Sequence, residues 1–472
     1  MATALCGVST VCSSNRRAGE VDSAANIRTC LEGKKQLLMD QRTNPRRCSR
    51  PGKATKRTAP LRVLSASYSS STAQPRKCAV LGAGFAGLSV VWHLLKHSPK
   101  ESNLCIDIYD EIGIGGGASG VAGGLLHPYS PKAKLLWKAA ECWRECQNLL
   151  ATAEAAANAR ALDSNTISAR RLVWRRGIMK PATAAKNVDI LKKNAQNGLG
   201  SCRLEFMNRD AAQNLLSNLC VPFDSAVYMP QAMNVHPQRY LQALFLACQN
   251  LVQDFTASGY KRKEIHVYKE TINDLGQLAG DYDVVVLCLG AKANMLPELQ
   301  GKLPLRLCRG VVAHLALPKD KSGEYPDGSP SILSDAWVAA QGTRNLVMGS
   351  TWDWSSKNSS PFVSPEEAST AMDELTTKMS VVYPSIRNWT LTDARAGLRA
   401  MPPLTPLGSL PVLGCLDEIV PGSTNCKYWI VGGLGSRGLL YHGWLGKLMA
   451  NAVLLCTEDV LPLELISWKK KQ

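Results

Sequence analysis

The residues best suited to chemistry near the start of the chain form a glycine turn between an apolar strand and a helix. The turn 82–87 (GAGFAG) follows the apolar segment 78–81 and has G-x-G-x-x-G spacing. Gly82 permits the tight turn, Gly84 lets the backbone approach a pyrophosphate, and Gly87 lets the helix pack closely on the sheet. A helix predicted over residues 85–96 presents its free N–H groups to phosphates. The pattern predicts an ADP-containing dinucleotide here.

A second strand, predicted over residues 105–110, ends in an acid. Its alternation suggests Asp110 as the acceptor for the ribose hydroxyls. A glycine turn in an ordinary βαβ unit is the alternative reading. Strand, turn, helix and terminal acid agree with one another, which favours the nucleotide. The glycine-rich loops 113–120 and 123–128 that follow would let the backbone run against a flat or phosphorylated ligand.

The elements that position these loops alternate between α/β and β-rich stretches. Helices are predicted over residues 132–157, 237–250, 365–379 and 439–456, with short strands at 172–174, 226–228 and 429–431. The run 283–290 is continuously apolar, as in a strand buried on both faces. We therefore expect a nucleotide domain made of three separated pieces, with a second, β-rich domain inserted between them.

The charge of the chain is concentrated in its first residues. Residues 1–77 contain 15 Lys or Arg and four acids, and so carry +11 of the net +17. This segment is rich in Ser and Arg and has no apolar secretory core, so it predicts an organellar transit peptide, plastid in preference to mitochondrion. A basic disordered arm is the alternative.

Cysteine usage and hydropathy indicate no further class of site. The 16 cysteines lack paired C-x-x-C spacing, so neither a zinc site nor a disulfide framework is indicated. Cys142 and Cys146 lie four apart on a helix without a nearby histidine, and buried small residues are the better interpretation. No stretch of about 20 apolar residues lacks charges, so no membrane span is expected.

Four segments together resemble the D-amino-acid oxidase, glycine oxidase and sarcosine oxidase family of FAD-dependent amine oxidoreductases. They are 82–87 with Asp110, the loop 118–128, the stretch 396–399 (AGLR) with Pro403 and 410–414, and the loop 432–438 (GGLGSRG) that opens the last helix. The loop 118–128 also looks like the FAD-dependent half of the bacterial enzyme that matures the wobble uridine of tRNA. The resemblance covers the chain from Lys77 to the last helix and is specific for the superfamily but not for a substrate.

The resemblance implies FAD as cofactor and an α/β fold: a Rossmann-like FAD-binding domain of GR2 type with an inserted, mostly antiparallel substrate domain. The presence of only one dinucleotide fingerprint independently favours FAD alone over a pairing of FAD with NADPH. The expected pieces are 1–74 (transit peptide), 75–160, 236–308 and 395–472 (FAD-binding domain), and 161–235 and 309–394 (substrate domain). The expected cofactor contacts are Gly82, Gly84, Phe85, Ala86, Gly87, Asp110, Glu111, Ala118, Ser119, Gly120, Gly123, Gly290, Gly433, Gly435, Ser436, Arg437, Gly438 and Leu439.

The C-terminal glycine loop 432–438 has a physical role of its own in this scheme. It opens a helix, so its N–H groups and the positive end of the helix dipole could stabilise negative charge on a reduced flavin. A glycine-rich turn chosen for packing is the alternative.

Arg399 is the residue expected to hold substrate. In related enzymes the arginine of the G-L-R segment clamps a substrate carboxylate, which a planar guanidinium can do with two hydrogen bonds. An ion pair is the alternative role. The resemblance implies hydride transfer from the carbon bearing the amine to flavin N5, with orientation over the ring as the main protein contribution. Tyr441 and His442 are further candidates beside the ring, as is His127, although each could be structural.

Two departures from the family limit what carries over. Sarcosine oxidase-like members have a lysine near the flavin that helps oxygen react, and the corresponding segment 346–352 (LVMGSTW) has none. The segment around Met401 also lacks the cysteine that anchors FAD covalently, so noncovalent binding is expected.

Three functions remain open from the sequence. The leading hypothesis is oxidation of a small amino acid or secondary amine, with O2 as a candidate electron acceptor. The second is a flavoenzyme that modifies tRNA, with Arg170, Arg171, Arg175 and Arg176 as a phosphate-binding run. The third is a flavoprotein that assists assembly of an organellar complex without turnover. No metal is expected in any of them.

Overall fold

The computed structural model describes residues 76–161, 171–278, 280–317, 324–326, 328–342, 344–420 and 426–471. The leader expected over residues 1–74 and Arg170 of the basic run lie outside these ranges. In chain order the strands are β1 (Arg76–Leu81), β2 (Leu104–Tyr109), β3 (Leu125–Leu126), β4 (Val173–Trp174), β5 (Ile178–Pro181), β6 (Glu205–Met207), β7 (Ala226–Met229), β8 (Met233–Val235), β9 (Lys263–Tyr268), β10 (Val284–Leu287), β11 (Arg306–Ala316), β12 (Ser331–Leu333), β13 (Trp337–Ala340), β14 (Asn345–Gly349), β15 (Thr390–Met401), β16 (Leu404–Thr405), β17 (Gly408–Ser409), β18 (Val412–Cys415) and β19 (Lys427–Gly432). The helices are α1 (Phe85–His97), α2 (Ala118–Val121), α3 (Ala139–Ala161), α4 (Ala185–Ala195), α5 (Arg209–Leu215), α6 (Pro237–Ala257), α7 (Pro365–Met379), α8 (Gly438–Leu455) and α9 (Leu463–Ile466).

The nucleotide-type unit is a six-stranded sheet with the order β18-β19-β10-β1-β2-β9. All neighbours are parallel except the edge strand β18, which runs antiparallel to β19. Every residue of β10 is buried, as expected for a strand covered on both faces. The helices α1, α3, α6 and α8 contribute to the main hydrophobic core against this sheet. Sequence pieces that are far apart therefore meet in one sheet.

The second unit is an eight-stranded sheet with the order β15-β11-β14-β13-β12-β5-β7-β6. Its strands pair antiparallel except β12 with β5. One face carries its own core, to which Leu375 and Met379 of α7 contribute. The other face supplies residues to the cavity described below. Two small sheets, β3-β8-β4 and β16-β17, complete the arrangement.

The longest strand pair crosses two of the predicted piece boundaries. β11 and β15 pair antiparallel from Arg306 opposite Met401 to Ala316 opposite Thr390, with one shift of register between His314 and Leu315. β11 thus begins before residue 309 and β15 continues beyond residue 395. Arg399, expected within the 395–472 piece of the FAD-binding domain, therefore belongs to a strand of the second sheet.

Two local predictions are corrected by the structure. The helix predicted over residues 132–157 begins only at Ala139, because Ala133 and Lys138 have φ angles of 56° and 50°, a left-handed conformation that an α-helix does not contain. The segment 118–128, predicted as a loop, contains the helical turn α2 and the short strand β3. Within the described residues, no helix is both long and apolar enough to cross a membrane.

Candidate active site

A cavity of about 800 Å³ lies where the glycine turn, the C-terminal loop and the second sheet meet. This size falls within the range of about 300–1,000 Å³ typical of ligand sites. Most of the residues expected from sequence line it: Gly82, Gly84, Phe85, Ala86, Asp110, Glu111, Ala118, Ser119, Gly123, Gly290, Arg399, Gly433, Gly435, Ser436, Arg437, Gly438 and Leu439. Gly87, Gly120, Tyr441 and His442 are not among the lining residues.

The glycine turn is shaped by close backbone packing. A Cβ placed on Gly87 would lie 1.8 Å from the carbonyl oxygen of Gly82, and one on Gly82 would lie 2.5 Å from that of Cys288. Gly82 also has a φ of 108°, which favours glycine. Gly87 is therefore placed behind the cavity wall, where it lets α1 begin directly over β1. Gly120 has a similar role, since its Cβ would lie 2.0 Å from the Gly115 oxygen.

The two acids after β2 differ in their partners. Asp110 accepts hydrogen bonds from the backbone N–H groups of Ala83 at 2.9 Å and Gly113 at 2.9 Å, and so ties the two glycine-rich loops together. Glu111 forms an ion pair with Lys292 and accepts from the Thr271 hydroxyl at 3.3 Å. These hydrogen bonds lower the pKa of Glu111, Lys292 being the main cause. Both acids line the cavity at the end formed by β2.

The C-terminal loop passes from β19 into α8. Gly433 and Gly435 have φ angles of 66° and 54°, so the backbone turns sharply along the cavity wall before α8 begins. Arg437 Nη1 lies 3.4 Å from His127 Nε2, and both residues line the cavity. Burial, with a further contribution from Arg437, holds the pKa of His127 well below its usual range, so His127 is neutral at physiological pH.

Tyr441 and His442, expected beside the ring, lie in the core behind the cavity wall. His442 is fully buried, and its Nδ1 lies 2.8 Å from the carbonyl oxygen of Leu439, so Nδ1 carries the proton. Its Nε2 is then free to accept from the Tyr240 hydroxyl at 2.7 Å. Burial lowers the pKa of His442 to about 4 and raises that of Tyr441 to about 12. The reason that neither reaches the cavity is that the first turn of α8 presents Gly438 and Leu439 to it instead.

Arg399 projects from β15 into the cavity and is held by neutral acceptors. Its Nη1 donates to Ser350 Oγ at 3.1 Å and its Nη2 to the Thr351 carbonyl at 2.8 Å. The Trp352 ring covers the guanidinium, with its centroid 4.1 Å from Cζ. No carboxylate within the described ranges lies at ion-pair distance from Arg399. A half-buried guanidinium without a carboxylate partner can pair with an anion that enters the cavity.

Sequence reasoning missed several lining residues from the part of the chain that forms the second sheet, among them Lys180, Asp335 and Trp337. Lys180 of β5 is half-buried, and burial lowers its pKa, with Asp335 opposing and Arg437 adding to this shift. The Trp337 ring packs so closely on Gly123 and Gly349 that a Cβ on either would lie within 2.6 Å of it. The signal for Lys180 was present in the sequence, since a lone lysine stands inside the otherwise buried apolar strand IMKP. Nothing local singled out Trp337 or Asp335.

The residues present fit FAD. A Cβ on Gly117 or Gly290 would meet no protein atom within 4 Å, so at both positions the bare backbone faces open space in the cavity. Gly82 and Gly84 line the same space at the start of α1, where helix N–H groups favour phosphate. The turn 82–87, Gly290 and the loop 432–438 would hold the cofactor, which leaves the face of the second sheet for substrate.

Comparisons with known proteins identify relatives of this chain. The chain is 26% identical over 428 residues to the tRNA 5-methylaminomethyl-2-thiouridine biosynthesis bifunctional protein MnmC of Delftia acidovorans, covering 83% of this chain and 59% of that protein. The chain thus spans about three fifths of that relative's length.

Solved structures share the fold at low identity. Glycine oxidase from Geobacillus kaustophilus superimposes with a TM-score of 0.60 at 18% identity, covering 82% of this chain and 97% of the other. Iminodiacetate oxidase from Chelativorans sp. BNC1 superimposes with a TM-score of 0.59 at 19% identity, again covering 82% of this chain and 97% of the other. These likenesses confirm the predicted fold class.

The model of one protein family, DAO, described as FAD dependent oxidoreductase, matches residues 77–452. The match confirms the resemblance inferred from the four segments, together with the cofactor and the enzyme class that it implied. The chain belongs to the FAD dependent oxidoreductase family and is an enzyme that uses FAD.

Proposed function

We propose that this flavoenzyme oxidises the C–N bond of a small amino acid or secondary amine that carries a carboxylate. The observation that carries the proposal is Arg399: a guanidinium without a carboxylate partner in the described part of the chain, lining the same cavity as the glycine turn. A carboxylate that met this side chain would be fixed by charge-assisted hydrogen bonds.

The acids and bases that line the cavity are unevenly distributed, and Asp110, Glu111, Glu270 and Lys292 lie at its nucleotide end. Away from the ion-paired Glu111 and Lys292, the wall formed by the second sheet and the C-terminal loop contains Arg399, Arg437 and Lys180, opposed by Asp335. This excess of positive charge would attract a carboxylate and stabilise negative charge that develops on the flavin side during the reaction.

Orientation is the main contribution expected of the protein. Trp337 forms a flat wall held by Gly123 and Gly349, and Trp352 shields the guanidinium of Arg399 from solvent. Bound FAD supplies the hydride acceptor. The substrate carbon would lose a hydride and its nitrogen would lose a proton to solvent water, and water would then hydrolyse the resulting imine. Burial holds the pKa of His127 well below its usual range, so this side chain is only a weak base.

The test uses matched pairs of amines under anaerobic conditions. N-methyl amino acids and free amino acids are mixed with the purified enzyme, each beside its methyl ester, which retains the amine but lacks the carboxylate charge. The proposal expects the acid of one pair to bleach the flavin and its ester to react far more slowly. Equal bleaching by acid and ester would remove the role assigned to Arg399.

A second candidate function is modification of tRNA, favoured by the similarity to MnmC over 83% of this chain. The basic run of Arg170, Arg171, Arg175 and Arg176 supports this candidate less than its sequence alone suggested. Arg175 donates to both carboxylate oxygens of Glu154, at 2.9 and 2.5 Å, and Arg176 is half-buried, while Arg171 is exposed. Mass spectrometry of wobble uridines in a knockout line tests this candidate, because an unchanged nucleoside profile would exclude it.

Localisation in a plastid, with the mitochondrion as the alternative, is proposed from the composition of residues 1–74 alone. A fluorescent fusion carrying these residues tests it. Fluorescence confined to plastids is the expected result, and a cytosolic distribution contradicts the proposal.

A further inference from the structure

A group of metal-ligating side chains lies on the nucleotide-type sheet, outside the cavity. Cys105 and Asp107 stand two residues apart on β2, so they share one face, and His266 of the edge strand β9 lies opposite Asp107 in register. Cys105 Sγ is 3.8 Å from Asp107 Oδ1 and 3.9 Å from His266 Nδ1, and His266 Nδ1 is 2.8 Å from Asp107 Oδ1. None of the three lines the cavity.

We propose that Cys105, Asp107 and His266 form a binding site for a divalent transition metal ion of the zinc class. A thiolate, an imidazole and a carboxylate together favour a borderline metal such as Zn²⁺ over Mg²⁺ or Ca²⁺, which prefer oxygen ligands alone.

The spacing of the three ligand atoms is close to one face of a tetrahedron. Zinc bonds of about 2.3 Å to sulfur and about 2.0 Å to nitrogen and oxygen place the ligand atoms about 3.3–3.6 Å apart. The two distances to sulfur exceed this slightly, and the 2.8 Å between His266 and Asp107 is shorter. Shifts of about 0.5 Å, within reach of small side-chain rotations, would complete the geometry.

The carboxylate of Asp107 is oriented as a ligand would be. Its Oδ1 faces Cys105 and His266, whereas its Oδ2 accepts a hydrogen bond from the Tyr282 hydroxyl at 2.8 Å. Tyr282 is in turn bonded to the Tyr109 hydroxyl at 2.7 Å. Such outer hydrogen bonds fix ligating carboxylates in metalloproteins.

Charge also favours a cation at this place. Asp107 is only 4% exposed, and no lysine or arginine in the described ranges lies at ion-pair distance from it. Because a buried negative charge is costly unless it is paired, a bound metal ion would compensate the charge of this carboxylate. Lys77 lies opposite Cys105 in the sheet, but its ammonium is placed over the Tyr282 ring, 4.9 Å from the centroid.

Ion binding would displace the proton of the Cys105 thiol. The His266 side chain is 46% exposed, so solvent reaches the outer side of the site. A water molecule could therefore complete a four-coordinate sphere.

The test measures zinc binding to the flavin-loaded protein after chelator treatment and removal of any affinity tag. Isothermal titration is expected to give one equivalent of Zn²⁺ for the wild type and an affinity at least about 10-fold lower for both Cys105→Ser and His266→Gln. Cys456→Ser, which changes an exposed cysteine elsewhere, is the matched control and should bind like the wild type. The zinc K-edge spectrum should show one sulfur at about 2.3 Å and lighter ligands at about 2.0 Å.

Three results would overturn the proposal: no stoichiometric binding by the wild type, equal affinity in the two variants, or a spectrum without a sulfur shell. If Cys105→Ser fails to retain flavin, His266→Gln decides the question, because its side chain is half-exposed and tolerates change.

Discussion

Replacing Arg399 by lysine should lower kcat/KM for a carboxylate-bearing amine while leaving the flavin in place. The guanidinium is fixed by Ser350 and Thr351 beneath the Trp352 ring, a geometry that the single ammonium of lysine cannot reproduce. A hydrogen bond to a charged group contributes about 1.5–3 kcal/mol, which corresponds to a loss of about 10- to 160-fold.

A second variant reaches the same side chain without changing any charge. A Cβ on Gly310 would lie 2.3 Å from Arg399 Nη2 and 2.9 Å from the Thr351 oxygen, so Gly310→Ala must displace the guanidinium. We expect Gly310→Ala, like Arg399→Lys, to lower kcat/KM for the carboxylate-bearing amine. Gly200→Ala is the control, because a Cβ there meets no atom within 4 Å.

The assay is anaerobic stopped-flow reduction of the bound flavin at increasing substrate concentration. If Arg399 holds the carboxylate, both variants raise the apparent dissociation constant of the acid and leave the slower reaction of its methyl ester unchanged. Reduction of the acid by Arg399→Lys within about twofold of the wild type would refute the reasoning, as would an equal loss for acid and ester.

Three other changes test different parts of the site. Gly87→Ala should abolish flavin retention, because its Cβ would overlap the Gly82 oxygen, and the flavin-to-protein absorbance ratio measures this; full retention contradicts it. His442→Gln should reduce the fall in the free energy of unfolding that accompanies a decrease in pH. The folded state holds the pKa of His442 at about 4, below the ordinary 6.5, so the unfolded state binds more protons between these values and wild-type stability falls as pH drops through that window. Urea denaturation at a series of pH values gives the free energy of unfolding, and its slope against pH should differ between wild type and variant by at most about 1.4 kcal/mol per pH unit. Parallel plots for the two proteins would disprove the assignment. Lys180→Met should raise the KM for an anionic substrate by about 2- to 5-fold, with recovery in Lys180→Arg, since a partly exposed charge contributes up to about 1 kcal/mol; an unchanged KM would remove Lys180 from substrate binding.

The nucleotide unit could be predicted from sequence because its signals are local. The spacing of Gly82, Gly84 and Gly87 encodes a turn whose geometry depends on a few neighbouring backbone atoms. The apolar run of β10 and the capped helix α7, which begins at Pro365 as predicted, are similar cases. In each case, the interactions that stabilise the element lie within it or between it and its neighbours along the chain.

The substrate side of the cavity could not be predicted in the same way because it is assembled over long sequence separations. Lys180 and Arg399 come from strands that stand five places apart in the second sheet. No local sequence pattern predicts the order of those strands. His442 shows that a residue close in sequence to the cavity can still point away from it. It lies next to a glycine loop that lines the cavity, but the helical turn rotates its side chain into the core toward Tyr240.

The measurement that tests the central claim most directly is the visible spectrum of the protein purified without residues 1–74, followed by anaerobic titration with amino acids, N-methyl amino acids and modified tRNA. The account predicts bound, noncovalent FAD that is bleached by a carboxylate-bearing amine. Bound flavin that none of these compounds reduces would contradict the proposed activity and favour a role in assembly. A correctly folded protein that binds no flavin would contradict the central claim itself.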